Sequence, residues 1–321
     1  MLKKLTLLVS GLVVLAAVAY LGIGYKLYDQ LSAVHPDLTN AANTPAQFHV
    51  FDDGFTNFDT AAYAMPNFER VRLPSRTPGL TLAGWYVPGD PNAPAVVVTH
   101  GLGSCKCGGG LLVVAGMLHR HGYNVLLYDL RNHGESDSDG GRTAIGNKEY
   151  LDVLGAWDWL QTAKGFPPRR IGLYGDSLGA GTTLIAFGEE PRVAAAMVDS
   201  PYFDIRQIID ERLIQNHYPT FLAPGGLLMA RLVGGVDLLA HSPQEAVTRD
   251  AGRPIFVVHG TADQSINIHH SRDLASLAAQ TGANVTTWFP EGVGHVQGDL
   301  MLPAEYEQRM ATFYTGALGG K

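Results

Sequence analysis

The chain has 321 residues, of which 46% are hydrophobic and 17% charged, with a formal net charge of -7. That length holds one large domain or two modest ones with a substantial core. The acidic balance without a basic tract excludes a surface built to displace counterions from nucleic acid. Cys105 and Cys107 are the 2 cysteines, so a disulfide scaffold is excluded. C-x-C spacing is too short for a relaxed bridge, and there is no second pair for a zinc site, so both read as small buried or half-buried residues.

Residues 5–25 carry no charge and are mostly Leu, Val, Ala and Gly. As a helix they span roughly 30 Å, the thickness of a hydrocarbon core. Lys3 and Lys4 precede the run, whereas Lys26 is soon followed by Asp29. The positive-inside rule then leaves residues 1–4 in the cytoplasm and exports the chain beyond the helix, giving a single-pass protein of the cell membrane. The Ala17-Val18-Ala19 site supports a rival reading, a signal peptide cleaved to release a secreted protein. Residues 26–67 are polar and mixed, and read as a linker packed loosely on the rest.

From residue 68 the pattern turns regular. Residues 68–73 and 80–87 read as paired strands about a Pro78-Gly79 turn. Short Val, Ile and Leu runs at 95–99, 124–130, 171–175, 194–198, 254–259 and 285–289 read as further strands. Helical spacing marks 109–121, 148–163, 180–187, 271–280 and 304–318. Continuous apolar strands alternating with helices predict an α/β domain over 68–318 with a mostly parallel sheet buried on both faces. The rhythm breaks at 205–253, where 205–213 and 227–239 look helical around Pro224-Gly225-Gly226. This insertion reads as a cap, and its Leu, Met and Phe residues as candidates to face a pocket.

In such sheets reactive groups collect at the carboxyl ends of strands. Gly175-Asp176-Ser177-Leu178-Gly179 follows one strand and opens a helix, the context that forces a serine out on a sharp turn. A serine hydroxyl needs a base, and the base an orienting carboxylate. Asp263, in Gly260-Thr261-Ala262-Asp263, and His295, after Gly294, follow the last two strands. The chain order is serine, acid, histidine. Asp199, which ends the strand before the cap, is the rival acid. The backbone N–H groups of Leu102 and Leu178 are candidate oxyanion donors. His100, His133, Asp129 and Arg131 read as loop-shaping groups, Asp176 as a partner of nearby backbone, and His269 and His270 as surface residues at a helix start. Tyr202 and Phe203 are candidates to line a substrate pocket.

With these pieces in order, the chain resembles the α/β-hydrolase family. His100-Gly101 follows a strand, and the Asp129-Leu130-Arg131-Asn132-His133-Gly134-Glu135-Ser136 run, the serine pentad, Gly260-Thr261-Ala262-Asp263 and Gly294-His295 come in the family's order. The likeness is nearest to its capped branch of esterases, monoacylglycerol lipase-like enzymes, thioesterases and serine aminopeptidase-like proteins. It implies an eight-stranded sheet, mostly parallel with an antiparallel first hairpin, and hydrolysis through an acyl-enzyme. It implies no metal and no organic cofactor.

The expected activity is therefore cleavage of a small-molecule carboxylic ester, lipid esters included, by an enzyme tethered to the membrane. Two alternatives are a serine peptidase, amidase or thioesterase, and an inactive hydrolase fold used for binding. An aminopeptidase would need acidic groups for a free amino terminus, and the cap offers Asp204, Asp210, Glu211, Asp237 and Glu245.

Overall fold

The structure is a computed structural model that describes residues 2–35, 39–52 and 54–319. It opens with α1 (Leu2–Ser32), longer than the apolar run that nucleates it. Among the described residues, eight strands form one sheet: β1 (Glu69–Pro74), β2 (Thr81–Val87), β3 (Ala95–Thr99), β4 (Asn124–Tyr128), β5 (Ile171–Asp176), β6 (Ala195–Asp199), β7 (Ile255–Val258) and β8 (Val285–Trp288). Their spatial order is β1-β2-β4-β3-β5-β6-β7-β8. β2 is antiparallel to both β1 and β4, and the remaining pairs are parallel.

Strands β3 to β7 are buried along their whole length, which is why they read as continuous apolar runs. The edge strand β8 is half-exposed and carries two threonines. The helices after β3 are α2 (Gly109–Arg120), α3 (Tyr150–Lys164), α4 (Leu178–Glu189), α5 (Ile205–Gln215), α6 (Ala223–Leu232), α7 (Glu245–Thr248), α8 (His269–Thr281), α9 (Gly298–Met301) and α10 (Pro303–Leu318). On one face of the sheet, Trp157 and Leu160 of α3 and Leu184 and Phe187 of α4 pack into one core. On the other, Leu112 and Met117 of α2 and Tyr306, Met310 and Tyr314 of α10 fill a second.

Three expectations need correction. The described residues of 26–67 are not a loose linker. Helix α1 continues to Ser32, and Phe48, Val50, Tyr63 and Met65 are buried in the second core. Room for them exists because α2 presents glycine there: a Cβ on Gly116 would sit 2.4 Å from the Tyr63 carbonyl oxygen. The second cap helix starts earlier than its apolar run suggests. Pro224, Gly225 and Gly226 form its first turn, where the missing proline N–H has no intrahelical partner to lose. Finally, Cys105 and Cys107 are joined in a disulfide. The chain turns back between them, with Gly108 N–H donating to the Cys105 carbonyl, and this brings the two Cα atoms to 5.0 Å.

A third apolar cluster joins the cap to α1. Leu27 and Tyr28 of α1 pack with Ile205, Ile209 and Leu213 of α5 and with Ala223, Met229 and Ala230 of α6. Of the apolar cap residues, Leu222, Met229 and Leu238 are buried in this cluster, whereas Phe221, Leu228, Leu232, Val233 and Leu239 face outward.

Candidate active site

Ser177 is the junction between β5 and α4, with φ 50° and ψ -118°. A non-glycine residue in that region is strained, and here the flanks leave no alternative. A Cβ on Gly175 would lie 2.3 Å from the Gly179 carbonyl oxygen, and one on Gly179 would lie 2.5 Å from that of Thr99. Two glycines let the helix start pass this close to β3 and β5, and the serine between them is pushed outward. Its own N–H donates to the Asp199 carbonyl at 2.9 Å, extending the β5–β6 pairing to the elbow.

His295 Nε2 lies 2.9 Å from Ser177 Oγ, and its Nδ1 lies 2.7 Å from Asp263 Oδ2. An ionised carboxylate only accepts, so Nδ1–H donates to Asp263 and Nε2 is left to accept from the serine hydroxyl. Asp263 Oδ1 accepts the backbone N–H groups of Ser265 and Ile266 at 2.8 and 2.9 Å. Burial works to raise the Asp263 pKa, but hydrogen bonds from His259 and His295 outweigh it and hold the carboxyl well below the usual range. The structure thus brings Ser177, Asp263 and His295 into one chain of hydrogen bonds.

Asp199 lies elsewhere. Its Oδ2 accepts from the Tyr306 hydroxyl at 2.9 Å and its Oδ1 from Ser200 Oγ at 3.0 Å. Asp176, under the serine, is buried; desolvation and the neighbouring Asp199 charge raise its pKa to about 8. Desolvation raises Asp199 as well, and it pushes the adjacent Asp299 well above its ordinary value.

His259 was legible only as the end of a strand. Its Nε2 lies 3.1 Å from Asp263 Oδ2 and 2.9 Å from the Ile266 carbonyl, and its Nδ1 lies 2.7 Å from Ser271 Oγ. A carbonyl only accepts, so Nε2 carries the proton and Nδ1 accepts a hydrogen bond from the Ser271 hydroxyl. The signal available in the sequence was its place four residues before Asp263 at the tip of β7.

The loops around the serine are pinned by neutral imidazoles. His100 Nε2 accepts the Leu130 N–H at 3.0 Å, and His133 Nε2 accepts that of Gly103 at 3.2 Å. Burial lowers both pKa values, which keeps those nitrogens available as acceptors. Arg131 makes a two-point contact with buried Asp152, at 2.9 and 2.7 Å. Lys106 bonds Asp129 and Glu135. His269 and His270 are not free surface groups, since both rings meet Glu211 of the cap, at 2.7 and 3.0 Å.

Two clefts meet at Ser177 and Leu102. One, about 410 Å³, is polar and bordered by Asn40, Asp52, Ser104, Asp176 and His295. The other, about 340 Å³, is mostly apolar, with Ile145, Tyr202, Ile208, Ile209 and Ile266 in its wall. Leu178 lines it too, and so do Gln30 and Leu31 of α1. Tyr202 is buried and donates from its hydroxyl to the Ile145 carbonyl at 2.9 Å. Phe203 is not brought to either cleft. It is partly buried against the first core, and its N–H donates to His270 Nδ1.

A strained serine elbow between strand and helix, on a sheet of this order, defines a serine hydrolase of the α/β-hydrolase fold. Within that class the chain belongs to the prolyl oligopeptidase family, Peptidase S9, whose model matches residues 114–321. It is 28% identical over 225 residues to the uncharacterized protein Rv2307c of Mycobacterium tuberculosis, covering 70% of this chain and 71% of that one. It is 33% identical over 198 residues to the thiohydrolase aneE of Aspergillus aculeatus, covering 61% of this chain and 58% of aneE. The fold matches the Pyrococcus furiosus esterase Pf2001 with a TM-score of 0.65 at 20% identity, over 89% of this chain and 99% of the esterase.

Proposed function

We propose that this chain is a membrane-anchored serine hydrolase that cleaves carboxylic esters through an acyl-enzyme. The observation that carries the reading is the unbroken Asp263–His295–Ser177 chain at 2.7 and 2.9 Å. Ser177 Oγ attacks the carbonyl carbon as His295 Nε2 takes its proton, and Asp263 stabilises the imidazolium that results. The N–H groups of Leu102 and Leu178 receive the developing oxyanion, aided by the positive end of α4. His295 then protonates the leaving oxygen, and a water molecule activated by the same imidazole hydrolyses the acyl-Ser177 ester.

The two clefts suit a carbonyl with unlike arms, an apolar acyl chain on the Tyr202 side and a polar leaving group on the Asp176 side. The acidic residues of the cap favour an ester over an amino-terminal peptide, because each is engaged away from the serine. Asp204 caps α5 through the Gln207 N–H and meets Ser242, while Asp210 pairs with Arg206. Glu211 holds the His269–His270 pair, Asp237 pairs with Arg231, and Glu245 with Arg249. None of them borders either cleft.

Anchoring rests on α1, where residues Lys3–Ser32 form a helix whose most apolar stretch has a mean hydropathy of 2.4. By the positive-inside rule, the lysines before it support an extracytoplasmic catalytic domain. A fluorophosphonate probe should label the chain and fail on Ser177→Ala. A panel of p-nitrophenyl esters, acyl thioesters and aminoacyl anilides then ranks the leaving groups. Faster turnover of anilides than of any ester would replace the esterase reading with that of a peptidase.

A further inference from the structure

The apolar part of α1 divides in two. Residues 5–19 expose their side chains, and from Tyr20 onward the helix packs on the cap, with Gly24, Leu27 and Tyr28 buried. The packing is close. A Cβ on Gly24 would sit 2.7 Å from the Gly225 carbonyl carbon, and Tyr20 donates from its hydroxyl to the Phe221 carbonyl at 3.3 Å.

Length then places the cap. The exposed stretch after Lys4 covers roughly 22 Å, short of the ~30 Å hydrocarbon core. A complete span has to include the turns from Tyr20 to Tyr25, just before Lys26. Tyr20 therefore lies about 7 Å inside the end of the span, the depth at which interfacial helices bury their apolar faces. Phe221 and the start of α6 lie beside it.

The cap surface there is apolar. Phe221, in the turn before α6, is 70% exposed. From there α6 runs parallel to α1, with Gly225 against Gly24 and Gly234 against the Tyr28 hydroxyl, so Leu232 (68% exposed) and Val233 (56%) lie past Lys26, at the headgroup level. The nearest charge on α6, Arg231, is paired with Asp237 at 2.7 Å. We propose that the cap tip at Phe221 inserts into the bilayer beside α1 as a second membrane contact, with Leu228, Leu232 and Val233 following it out to the headgroup level. This rests on the reading of α1 as a membrane span. The occupant is lipid, because the tip is continuous with the segment that must itself be in lipid. Insertion holds the apolar cleft, walled by Leu31 of the same helix, at the lipid boundary.

The test uses the full chain in phosphatidylcholine–phosphatidylglycerol nanodiscs. Its native cysteines are bonded to each other, so a single NBD dye can be placed on F221C, on L232C or, at the far end of the sheet before β3, on N92C. Doxyl-labelled lipid should quench the dye about twofold or more at 221, less at 232, and leave 92 unchanged. The double variant F221D/L232D should lose on the order of tenfold in hydrolysis of a long-chain ester dissolved in the bilayer, with a soluble short-chain ester unaffected. Water-like, unquenched emission at 221 overturns the proposal, and so does blue-shifted but unquenched emission there, the result if a second copy of the chain covers the tip. Alkaline carbonate extraction separates the two readings. A chain retained in the membrane but unquenched sinks only the cap contact, whereas an extracted chain sinks the span and the contact together. The dye result stands whether or not the chain proves to be an esterase.

Discussion

His259 Nε2 lies 3.1 Å from Asp263 Oδ2, the same oxygen that receives the Nδ1–H of His295. Two imidazoles thus converge on one carboxylate oxygen, and only His295 reaches the serine. His259 is fully buried, held by Ser271 and the Ile266 carbonyl, so it fixes the carboxylate rather than exchanging protons with a substrate. His259→Phe should lower kcat on the order of tenfold with KM little changed, the size of one lost hydrogen bond to a charged group. It should also remove one of the donors that hold the Asp263 carboxyl down and so raise that pKa, moving the acid limb of the pH profile upward. A pH profile identical to that of the unaltered enzyme would assign His259 to packing alone.

The acid itself is testable by comparison. Asp263→Asn should cut kcat by roughly 10³–10⁴-fold through loss of the productive imidazole tautomer. Asp199→Asn keeps an acceptor for the Tyr306 hydroxyl and should cost far less. Steady-state kinetics on both variants gives the ranking, and the reverse order would move the acid to the end of β6.

Ser177 and Asp263 were legible because each follows a buried strand and is flanked by glycine, and His295 because it follows Gly294 after the last strand. Strand alternation also exposed the sheet, with boundaries shifted by a residue or two. The features that the sequence concealed have physical reasons. Phe48, Val50, Tyr63 and Met65 are buried without any helical or strand period, so nothing local distinguishes them from a linker. Helix α1 runs past Lys26 and Asp29 because it is held by tertiary packing on the cap, which propensity does not encode. The first turn of α6 contains Pro-Gly-Gly, which reads as a loop until Gly225 is seen against Gly24. The role of His259 needs the fold that brings β7 and α8 around it. The outward-facing leucines of α6 carry the same letters as core leucines, and only the structure separates them.

The buried acids beneath the elbow should leave a mark on stability. Asp176 has a folded pKa raised to about 8, whereas an unfolded aspartate titrates near about 4. Between those values the unfolded chain has lost this proton and the folded chain still holds it, so this group's contribution to stability falls as pH rises from about 4 to 8 and then levels. Asp176→Asn keeps the oxygen that faces the Gly101 N–H and removes the titration. Its melting temperature should gain on that of the unaltered chain progressively across this window. Measured by thermal melts in the Ser177→Ala background, a constant offset from pH 4 to 8 would show that Asp176 is ionised throughout.

The apolar cleft predicts a chain-length preference. Ile145, Tyr202, Ile208, Ile209 and Ile266 offer an acyl chain an apolar wall in the cleft that opens at Ser177, and Leu31 brings α1 into that wall. Each methylene buried there gains about 0.8 kcal/mol, so kcat/KM should climb from acetyl through butyryl to octanoyl p-nitrophenyl esters. Filling the wall should reverse that gain without touching the chemistry. Leu31→Trp and Ile208→Trp should each move the optimum toward shorter chains while acetyl ester turnover stays near its original rate. Leu31 is the sharper of the two, since a shift there makes the N-terminal helix part of the acyl site. If neither tryptophan alters the profile, the acyl chain lies in the polar cleft on the Asp176 side, and the assignment of the two arms must be exchanged.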